Sequence, residues 1–358
     1  MKFSQDSSST PTRFGVTFAG SDDPSTARTF DVGRDSVLSG VDAVLPPYAV
    51  AVASRLTGAD RFDVSVEASQ AGFAPGVDQV YVANGLNWPD ALSAGPAAAY
   101  HHAPLLLVTP GSLPAAVRTE IQRLDPREIV IVGGRNSVGD DVLHQLQPLA
   151  QTTTRIDGAD RYAVSRALDL AAFGTPLEAK SLLVASGRNF PDALSSGAVA
   201  AAWRAPVVLV DGLAQQLDAD TRSYIFSTGI SGSAVGGPAS ITDNLVNDLG
   251  SFNKYDGPGS RIGGEDRFAV NRNLNTLNGY FAPPTLTSTA YLVSGLNFPD
   301  ALSATTLAAQ ERSRVFLAAP DCVPQATLDT MRGLHVTKIV LVGGPNTLGA
   351  GVAALKPC

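Results

Sequence analysis

NWPDALSAG, at Asn87–Gly95, is the stretch that decides the fold, because the chain repeats it twice more. It returns as NFPDALSSG at Asn189–Gly197 and as NFPDALSAT at Asn297–Thr305. Each copy follows a short apolar run that ends in Gly and opens an Ala-rich segment. Asn is favoured as a helix N-cap, Pro fits the first turn, and Asp three residues after the Asn completes a variant of the capping box. Each copy therefore predicts a strand, a tight turn and a helix.

Two other motifs accompany every copy in a constant order. The upstream motif reads RLTGADRF from Arg55, RIDGADRY from Arg155 and RIGGEDRF from Arg261. The downstream motif is a run that closes on two glycines, ending at Gly134, Gly237 and Gly344. The motifs recur at intervals of 100 to 108 residues, which predicts three homologous modules in a chain of 358 residues.

Strands and helices alternate within each module. In the first module, the apolar runs AVAVASRL, QVYVAN, PLLLVT and EIVIVG alternate with helices predicted over residues 60–72, 88–101, 113–124 and 138–149. Short continuous runs of Val, Ile and Leu are typical of strands covered on both faces. The predicted fold class is therefore α/β, with mainly parallel, doubly wound sheets and modules at residues 49–151, 152–254 and 255–358. The Ala-rich helices suit close packing inside each module or around a pseudo-threefold axis, and we prefer the first interpretation.

Residues 1–48 are interpreted as a separate N-terminal segment that is partly disordered. Residues 1–12 are Ser-rich and polar, which predicts mobility. The run at Val32–Ala49 resembles the run at Val132–Ala150, so the segment is also interpreted as a partial module. It would consist of a strand and a helix, preceded by a strand GVTFAG.

Composition favours a globular protein, since 44% of the residues are hydrophobic and 16% are charged. A net charge of -7 leaves no basic surface for nucleic acid, so an anionic ligand would need a local cluster of Arg residues. No apolar run in the sequence is long enough to cross a bilayer.

The first residues, MKFSQDSSSTPTRF, lack the apolar segment of a secretory signal. We therefore expect either an internal protein or a mature chain with an added Met. Cys322 and Cys358 favour the second alternative, because two cysteines in the last module suit one disulfide, which needs an oxidising compartment. Two buried free thiols are the alternative interpretation.

The upstream motif supplies the first candidate site, which consists of an Arg, an Asp and a second Arg in each module. Its members are Arg55, Asp60, Arg61, Arg155, Asp160, Arg161, Arg261, Asp266 and Arg267. Arg binds carboxylate and phosphate groups in a bidentate manner, which favours a basic site repeated three times. In the structural alternative, the Asp caps the following helix and the Arg residues brace the turn or a neighbouring module.

The central motif supplies the second candidate site, an Asn and an Asp in each module. Its members are Asn87, Asp90, Asn189, Asp192, Asn297 and Asp300. They follow predicted strands at the carboxyl end, where open parallel sheets bind ligands, and helix capping is again the structural alternative. The paired glycines match no nucleotide-binding fingerprint, and the four histidines neither recur between modules nor form a zinc motif. We therefore expect no cofactor, no metal and no catalytic set.

The ordered motifs R-x-x-G-x-D-R-F/Y, N-F/W-P-D-A-L-S and V-G-G resemble the cell wall binding repeat type 2 family, from about residue 55 to residue 358. The resemblance implies three flavodoxin-like modules packed as a pseudo-trimer. It also implies an exported region that binds a secondary cell-wall glycopolymer without covalent attachment, in the grooves between modules. The implied partner is a cell-wall polysaccharide or a teichoic-acid-like polymer, at the cell wall or cell surface of Gram-positive bacteria.

We expect the polymer to contact the repeated Arg, Asn and Asp residues and two Arg residues that occur in one module only. These are Arg55, Arg61, Asn87, Asp90, Arg135, Arg155, Arg161, Arg188, Asn189, Asp192, Arg261, Arg267, Asn297 and Asp300. Arg135 is replaced by Pro in the other two modules and Arg188 is replaced by Leu, so the three grooves are expected to be unequal.

Three functions fit the sequence. A wall anchor without turnover is the preferred interpretation, because a repeated site of modest affinity gains through multivalency on a repeating polymer. A wall hydrolase with its site at the strand ends of one module is favoured only by the inequality of the modules. A scaffold that binds a surface protein on its Ala-rich faces is the third.

Overall fold

The computed structural model describes residues 2–5, 14–17, 29–32, 50–174, 181–230, 232–251, 259–277 and 286–358. The chain divides into two compact units, Met1–Ala49 and Val50–Cys358.

In the first unit, the described residues form a three-stranded antiparallel sheet. Its strands are β1 (Lys2–Gln5), β2 (Phe14–Thr17) and β3 (Thr29–Val32), in the order β1-β2-β3. The strand β1 falls within residues 1–12 and pairs with β2, and the mobility predicted for residues 1–12 stays a prediction. The strand β2 overlaps the predicted strand GVTFAG, whereas the helix predicted after β3 lies outside the described residues.

In the second unit, strands and helices alternate as the sequence predicts. The strands are β4 (Ala51–Leu56), β5 (Gln79–Asn84), β6 (Leu105–Val108), β7 (Glu128–Val132), β8 (Thr152–Ile156), β9 (Leu182–Ser186), β10 (Val207–Val210), β11 (Gly232–Val235), β12 (Ser260–Ile262), β13 (Thr289–Ser294), β14 (Arg314–Ala318) and β15 (Lys338–Val342). The helices are α1 (Arg61–Gly72), α2 (Pro89–Tyr100), α3 (Ala115–Leu124), α4 (Asp140–Leu146), α5 (Arg161–Phe173), α6 (Pro191–Trp203), α7 (Ala219–Thr228), α8 (Asp243–Gly250), α9 (Arg267–Asn275), α10 (Pro299–Gln310), α11 (Gln325–Gly333) and α12 (Ala350–Ala353).

Three parallel sheets of four strands each carry the three repeats. Their strand orders are β6-β5-β7-β8, β10-β9-β11-β12 and β14-β13-β15-β4. The predicted α/β class with parallel sheets is thereby confirmed.

The fourth strand of each sheet comes from the next repeat along the chain. β8 follows the first repeat and completes its sheet, β12 does so for the second, and β4 closes the cycle by pairing with β15 of the third. The prediction that β4 opens the sheet of the first module is therefore wrong. The half-exposed side chains of β4 suit an edge strand, and its backbone groups are satisfied by parallel pairing with β15. The predicted module boundaries at residues 49, 152 and 255 stay a prediction about the sequence repeats, because each sheet contains a strand from beyond its boundary.

The central core passes through all three repeats. Alternate residues of β5 face opposite sides of the sheet: Tyr81 and Ala83 join the central cluster, whereas Val80 and Val82 face an outer cluster of the first repeat. The Ala-rich helices α2, α6 and α10 contact one another on the central side. Their small residues therefore pack between repeats as well as inside them, contrary to the preferred interpretation, because close helix approach around the pseudo-threefold axis leaves little room for larger side chains.

Cys322 and Cys358 form a disulfide, with 5.3 Å between their Cα atoms. It joins the segment before α11 to the end of the chain, where Cys358 N–H also donates to Val323 O at 3.0 Å. Both links lie in the third repeat.

Candidate functional site

The first Arg of each upstream motif braces the turn that follows the neighbouring strand. The guanidinium of Arg155 lies half-buried, and its Nη1 donates to the carbonyl oxygens of Gly133 at 2.9 Å and Val138 at 2.8 Å. Equivalent bonds join Arg55 to the carbonyls of Gly343 and Leu348, and Arg261 to the carbonyl of Gly236 and the carboxylate of Asp243. These contacts favour the bracing alternative for the first Arg, and its contact with a ligand stays a prediction.

The Asp of the upstream motif is a helix N-cap. Asp160 Oδ1 accepts hydrogen bonds from the backbone N–H groups of Tyr162 and Ala163, both at 2.9 Å. Asp60 caps α1 with two such bonds, and Asp266 caps α9 with one, from the N–H of Ala269. Such a cap stabilises a helix by roughly 0.5–2 kcal/mol, which accounts for an Asp at this position without a ligand.

The second Arg of the motif joins two repeats. Arg161 Nη1 donates to the carbonyl oxygen of Gly187 in its own repeat at 2.7 Å, and its guanidinium lies 5.0 Å from the centre of the Trp88 ring in the first repeat. The same two contacts recur as Arg267 with Gly295 and Phe190, and as Arg61 with Gly85 and Phe298. Each cation–π contact contributes about 0.5–2 kcal/mol. Together they close a ring, in which every repeat contributes one Arg and one aromatic side chain.

The Asp of the central motif is buried against the paired glycines. Ser137 Oγ donates to Asp90 Oδ2 at 2.6 Å, and the Cα of Gly133 packs directly on the same carboxylate. Gly133 has a φ of +105°, and a Cβ at this position would collide with Asp90 Oδ2. Glycine is therefore required here for its backbone conformation and for space. The pairs Gly236 with Asp192 and Gly343 with Asp300 repeat this arrangement.

Burial and a charge from the next repeat act in opposite directions on these carboxyl groups. Burial raises the pKa of Asp90, and the hydrogen bond from Ser137 and the charge of Arg161 counteract it. Asp192 is affected similarly by burial and by Arg267. Burial raises the pKa of Asp300 to about 6, against the lowering effect of Arg61. Each interface thus contains a carboxyl group, the Arg of the following repeat and an aromatic ring.

The Asn residues of the central motif do not cap the helices. Helix α2 begins at Pro89 with Trp88 as its N-cap residue, and Trp88 makes no side-chain capping bond. The predicted capping box is therefore wrong, because Asp90 is directed to Ser137 instead of to the helix backbone. Asn87, Asn189 and Asn297 are exposed at the carboxyl end of the strands, and their contact with a ligand stays a prediction.

The two Arg residues that occur in one repeat each are paired with different acids. Arg135 Nε lies 3.5 Å from Asp140 and the side chain is 79% exposed. Arg188 Nη1 lies 3.2 Å from both carboxylate oxygens of Asp211. Arg135 directly follows the Gly-Gly turn of the first repeat, and its contact with a ligand stays a prediction.

Sequence reasoning missed the aromatic partners of the second Arg. The signal was available in the sequence. The second position of N-F/W-P-D changes between Trp and Phe but is aromatic in all three repeats, as Trp88, Phe190 and Phe298. An aromatic side chain beside a strand end normally suggests local packing, and only the closed ring of repeats brings each ring to an Arg from another repeat.

In the described parts of the chain, no three His, Cys, Asp or Glu side chains come together as a metal site. No described helix is long and apolar enough to span a membrane.

A family model described as cell wall binding domain 2 (CWB2) matches the chain three times, at residues 55–143, 155–246 and 261–353. Among curated proteins, the chain is 25% identical over 301 residues to the N-acetylmuramoyl-L-alanine amidase LytC of Bacillus subtilis (strain 168). It is also 25% identical over 305 residues to the amidase enhancer of that organism. The matches span 84% and 85% of this chain, but only 57% and 40% of the two proteins.

Two solved structures from Clostridium difficile share the fold. Cwp8 superposes with a TM-score of 0.73 at 24% identity, over 84% of this chain and 52% of Cwp8. Cwp6 superposes with a TM-score of 0.72 at 19% identity, over 97% of this chain and 57% of Cwp6. At sequence identities below 25%, these two structures show a shared fold only.

Proposed function

The chain belongs to the cell wall binding domain 2 family, and on that premise we propose that it holds a protein at a bacterial cell wall by binding an anionic secondary glycopolymer without covalent attachment. The family and its relatives indicate the cell wall or the cell surface as its location. The polymer binds at the interfaces between repeats, and the chain itself is exported and non-catalytic.

The observation that carries this proposal is the threefold recurrence of one interface. Each interface presents an exposed Asn beside an Arg–aromatic contact at the carboxyl ends of the strands. Carboxyl ends of parallel strands are the usual ligand-binding edge of such sheets. A polymer with a regular repeat can occupy several equivalent interfaces at once, so modest single affinities combine into firm retention.

The interface between the first and second repeats binds most strongly in this proposal. It has the additional cation of Arg135, whereas Pro238 and Pro345 occupy that position in the other repeats. An exposed Arg attracts phosphate or carboxylate groups and binds them in a bidentate manner. The two remaining interfaces rely on their half-buried Arg residues and exposed Asn amides.

A non-enzymatic role is preferred over hydrolysis because the acids of the repeated motifs already accept hydrogen bonds within the protein. Asp90 accepts a hydrogen bond from Ser137 and packs on Gly133, and the upstream Asp residues cap helices. LytC is an amidase, but this chain matches little more than half of it, so its activity is not transferred here.

Co-sedimentation with purified walls tests the proposal. The full chain should pellet with native wall sacculi and stay in solution when the anionic polymer has been stripped from them. Arg135→Gln should weaken pelleting about two- to fivefold, the range expected for an exposed charge contact. Arg127→Gln is the matched control. Arg127 carries the same charge and is 74% exposed, but it lies at the amino end of β7, at the opposite end of the strand from Arg135.

Equal pelleting with native and stripped walls would contradict polymer binding. Equal effects of the two variants would contradict the assignment of Arg135. Release of soluble sugar or peptide from the sacculi by the full chain would favour the hydrolase instead.

A further inference from the structure

A second surface opens in the second repeat, outside the ring of interfaces. A groove of about 490 Å³ lies at the carboxyl end of β10, between the first turns of α5 and α7. Tyr162, Arg166, Asp211, Gln216 and Asp218 line it. Its volume lies within the range of small-molecule sites, roughly 300–1,000 Å³.

The groove coincides with a longer loop in this repeat. The loop from β10 to α7 is Asp211–Asp218, whereas the corresponding loops are Thr109–Pro114 and Ala319–Pro324, each two residues shorter. In the first repeat, Thr109 Oγ1 accepts from Ser112 N–H at 2.9 Å and so ties its loop together. In the third repeat, the loop carries the disulfide to Cys358. Gln216 of this longer loop lines the groove, and its Oε1 accepts a hydrogen bond from Arg222 Nη2 at 3.3 Å.

The aromatic residue of the groove also differs between repeats. Tyr162 is replaced by Phe62 in the first repeat and by Phe268 in the third, so this repeat alone adds a phenolic hydroxyl at that position. A Tyr ring beside planar amide, guanidinium and carboxylate groups offers both an apolar face and several hydrogen-bonding groups. A pyranose ring has the same combination of apolar face and hydroxyl edge.

The charge of the groove is negative. Four carboxylates line it, from Asp160, Asp211, Asp218 and Asp220, against one guanidinium from Arg166. Arg166 is itself engaged, because it donates to Thr221 Oγ1 at 2.7 Å and lies 3.4 Å from Asp218 and Asp220. Even with Arg188 paired to Asp211, the acids outnumber the bases by two. A polyanion is therefore disfavoured here, and a cationic ligand is favoured.

Two further observations restrict the ligand. Burial acts to raise the pKa of Asp218, but hydrogen bonds from Thr221 and the charge of Arg166 outweigh it and lower that pKa, so this carboxylate stays charged. No three of the described acids come together closely enough to hold a metal ion. The negative charge is thus spread along the walls of an open groove, which suits an extended organic cation.

We propose that the groove of the second repeat binds an amino sugar, a pyranose that carries a free ammonium group. Its ring packs on Tyr162, its hydroxyls bond to Gln216 and Asp211, and its ammonium group lies among Asp211, Asp218 and Asp220. The inference that this sugar comes from the cell wall rests on the proposed function. The chemistry of the groove stands on its own residues.

Calorimetric titration of the full chain with a short β-1,4-linked glucosamine oligomer tests the proposal, with the fully N-acetylated oligomer as the matched ligand. Acetylation removes the ammonium charge and keeps the ring and most hydroxyls. We expect saturable binding of the glucosamine oligomer and at least fivefold weaker binding of the acetylated one. Added salt should weaken the first more than the second.

Protein variants locate the binding. Asp220→Asn and Asp211→Asn should each weaken glucosamine-oligomer binding about two- to fivefold, as for exposed charge pairs. Asp141→Asn is the control, because it removes an exposed acid from the first turn of α4 in the first repeat, as Asp220→Asn does from α7. Amide chemical shifts of Tyr162 and Gln216 should move on titration of the wild-type chain.

Equal affinity for the two oligomers, no saturable binding of either, or an equal loss in the Asp141→Asn control would each overturn the amino-sugar site. The proposed function fails separately. If the full chain does not pellet with native walls but still binds the glucosamine oligomer, only the wall-anchor proposal is contradicted. If the chain pellets with walls in a polymer-dependent manner but does not bind the oligomer, only the amino-sugar site is contradicted.

Discussion

At the scale of single residues, Arg155 illustrates how a motif that looks like a ligand site is occupied by structural bonds. Its guanidinium donates to two carbonyls of the turn after β7, and a truncation would leave both without this donor. Because unsatisfied half-buried carbonyls cost about 1–3 kcal/mol, we expect Arg155→Ala to lower the free energy of unfolding by about 2–3 kcal/mol. Urea unfolding of the wild-type chain and of Arg155→Ala measures this loss of unfolding free energy. Arg127→Ala is the control, because Arg127 lies at the surface and its removal should change stability little.

An unchanged unfolding free energy of Arg155→Ala, together with lost wall pelleting, would contradict the bracing role. In that case the Arg would be a ligand contact, as the basic-site interpretation of the motif expects.

Asp300 allows a test of the interface electrostatics. Burial raises its pKa in the folded protein to about 6, from 3.8 in an exposed Asp. The folded state therefore binds this proton more tightly, so the stabilising effect of protonation is complete below about pH 4 and is lost as the pH rises through about 6. Relative to Asp300→Asn, the wild-type chain should gain up to about 3 kcal/mol in free energy of unfolding between pH 7.5 and pH 4.

Urea unfolding of both chains at pH 7.5, 6 and 4 measures that difference. Asp329→Asn is the control, because this exposed acid on α11 accepts its side-chain hydrogen bonds from Arg332 and Gln325 at the surface. A difference that stays flat, or that changes in the opposite direction, would mean that the attraction of Arg61 outweighs the burial of Asp300.

At the scale of secondary-structure elements, the sequence predicts most of what is found. The runs QVYVAN and EIVIVG are β5 and β7, and the Ala-rich segments after N-F/W-P-D are α2, α6 and α10. These elements are decided by local signals, namely continuous apolar runs, Pro in a first turn and Asp at an N-cap.

What the sequence could not predict depends on contacts between distant segments. β4 looks like the first strand of the repeat that follows it, and its pairing with β15 becomes visible only when the repeats close on themselves. The aromatic partners of Arg61, Arg161 and Arg267 depend on the same closure. The groove of the second repeat depends on a loop two residues longer, a difference that periodicity does not reveal.

At the scale of the whole molecule, the second unit is one ring of three interlocked repeats. Each repeat gives a strand to the previous sheet and an Arg to the previous aromatic ring, so an isolated repeat lacks part of its own sheet and interface. Because the interfaces are formed only by the closed ring, polymer binding and the integrity of the ring are coupled in this account.

Hydrogen exchange of the full chain, with and without polymer released from walls, tests this coupling most directly. We expect protection in the turns at residues 85–88, 187–190 and 295–298 and in the Gly-Gly turns beside them, strongest near Arg135. Protection confined to the outer helices α3, α7 and α11, or no protection at a polymer concentration that saturates wall competition, would contradict binding at the interfaces between repeats.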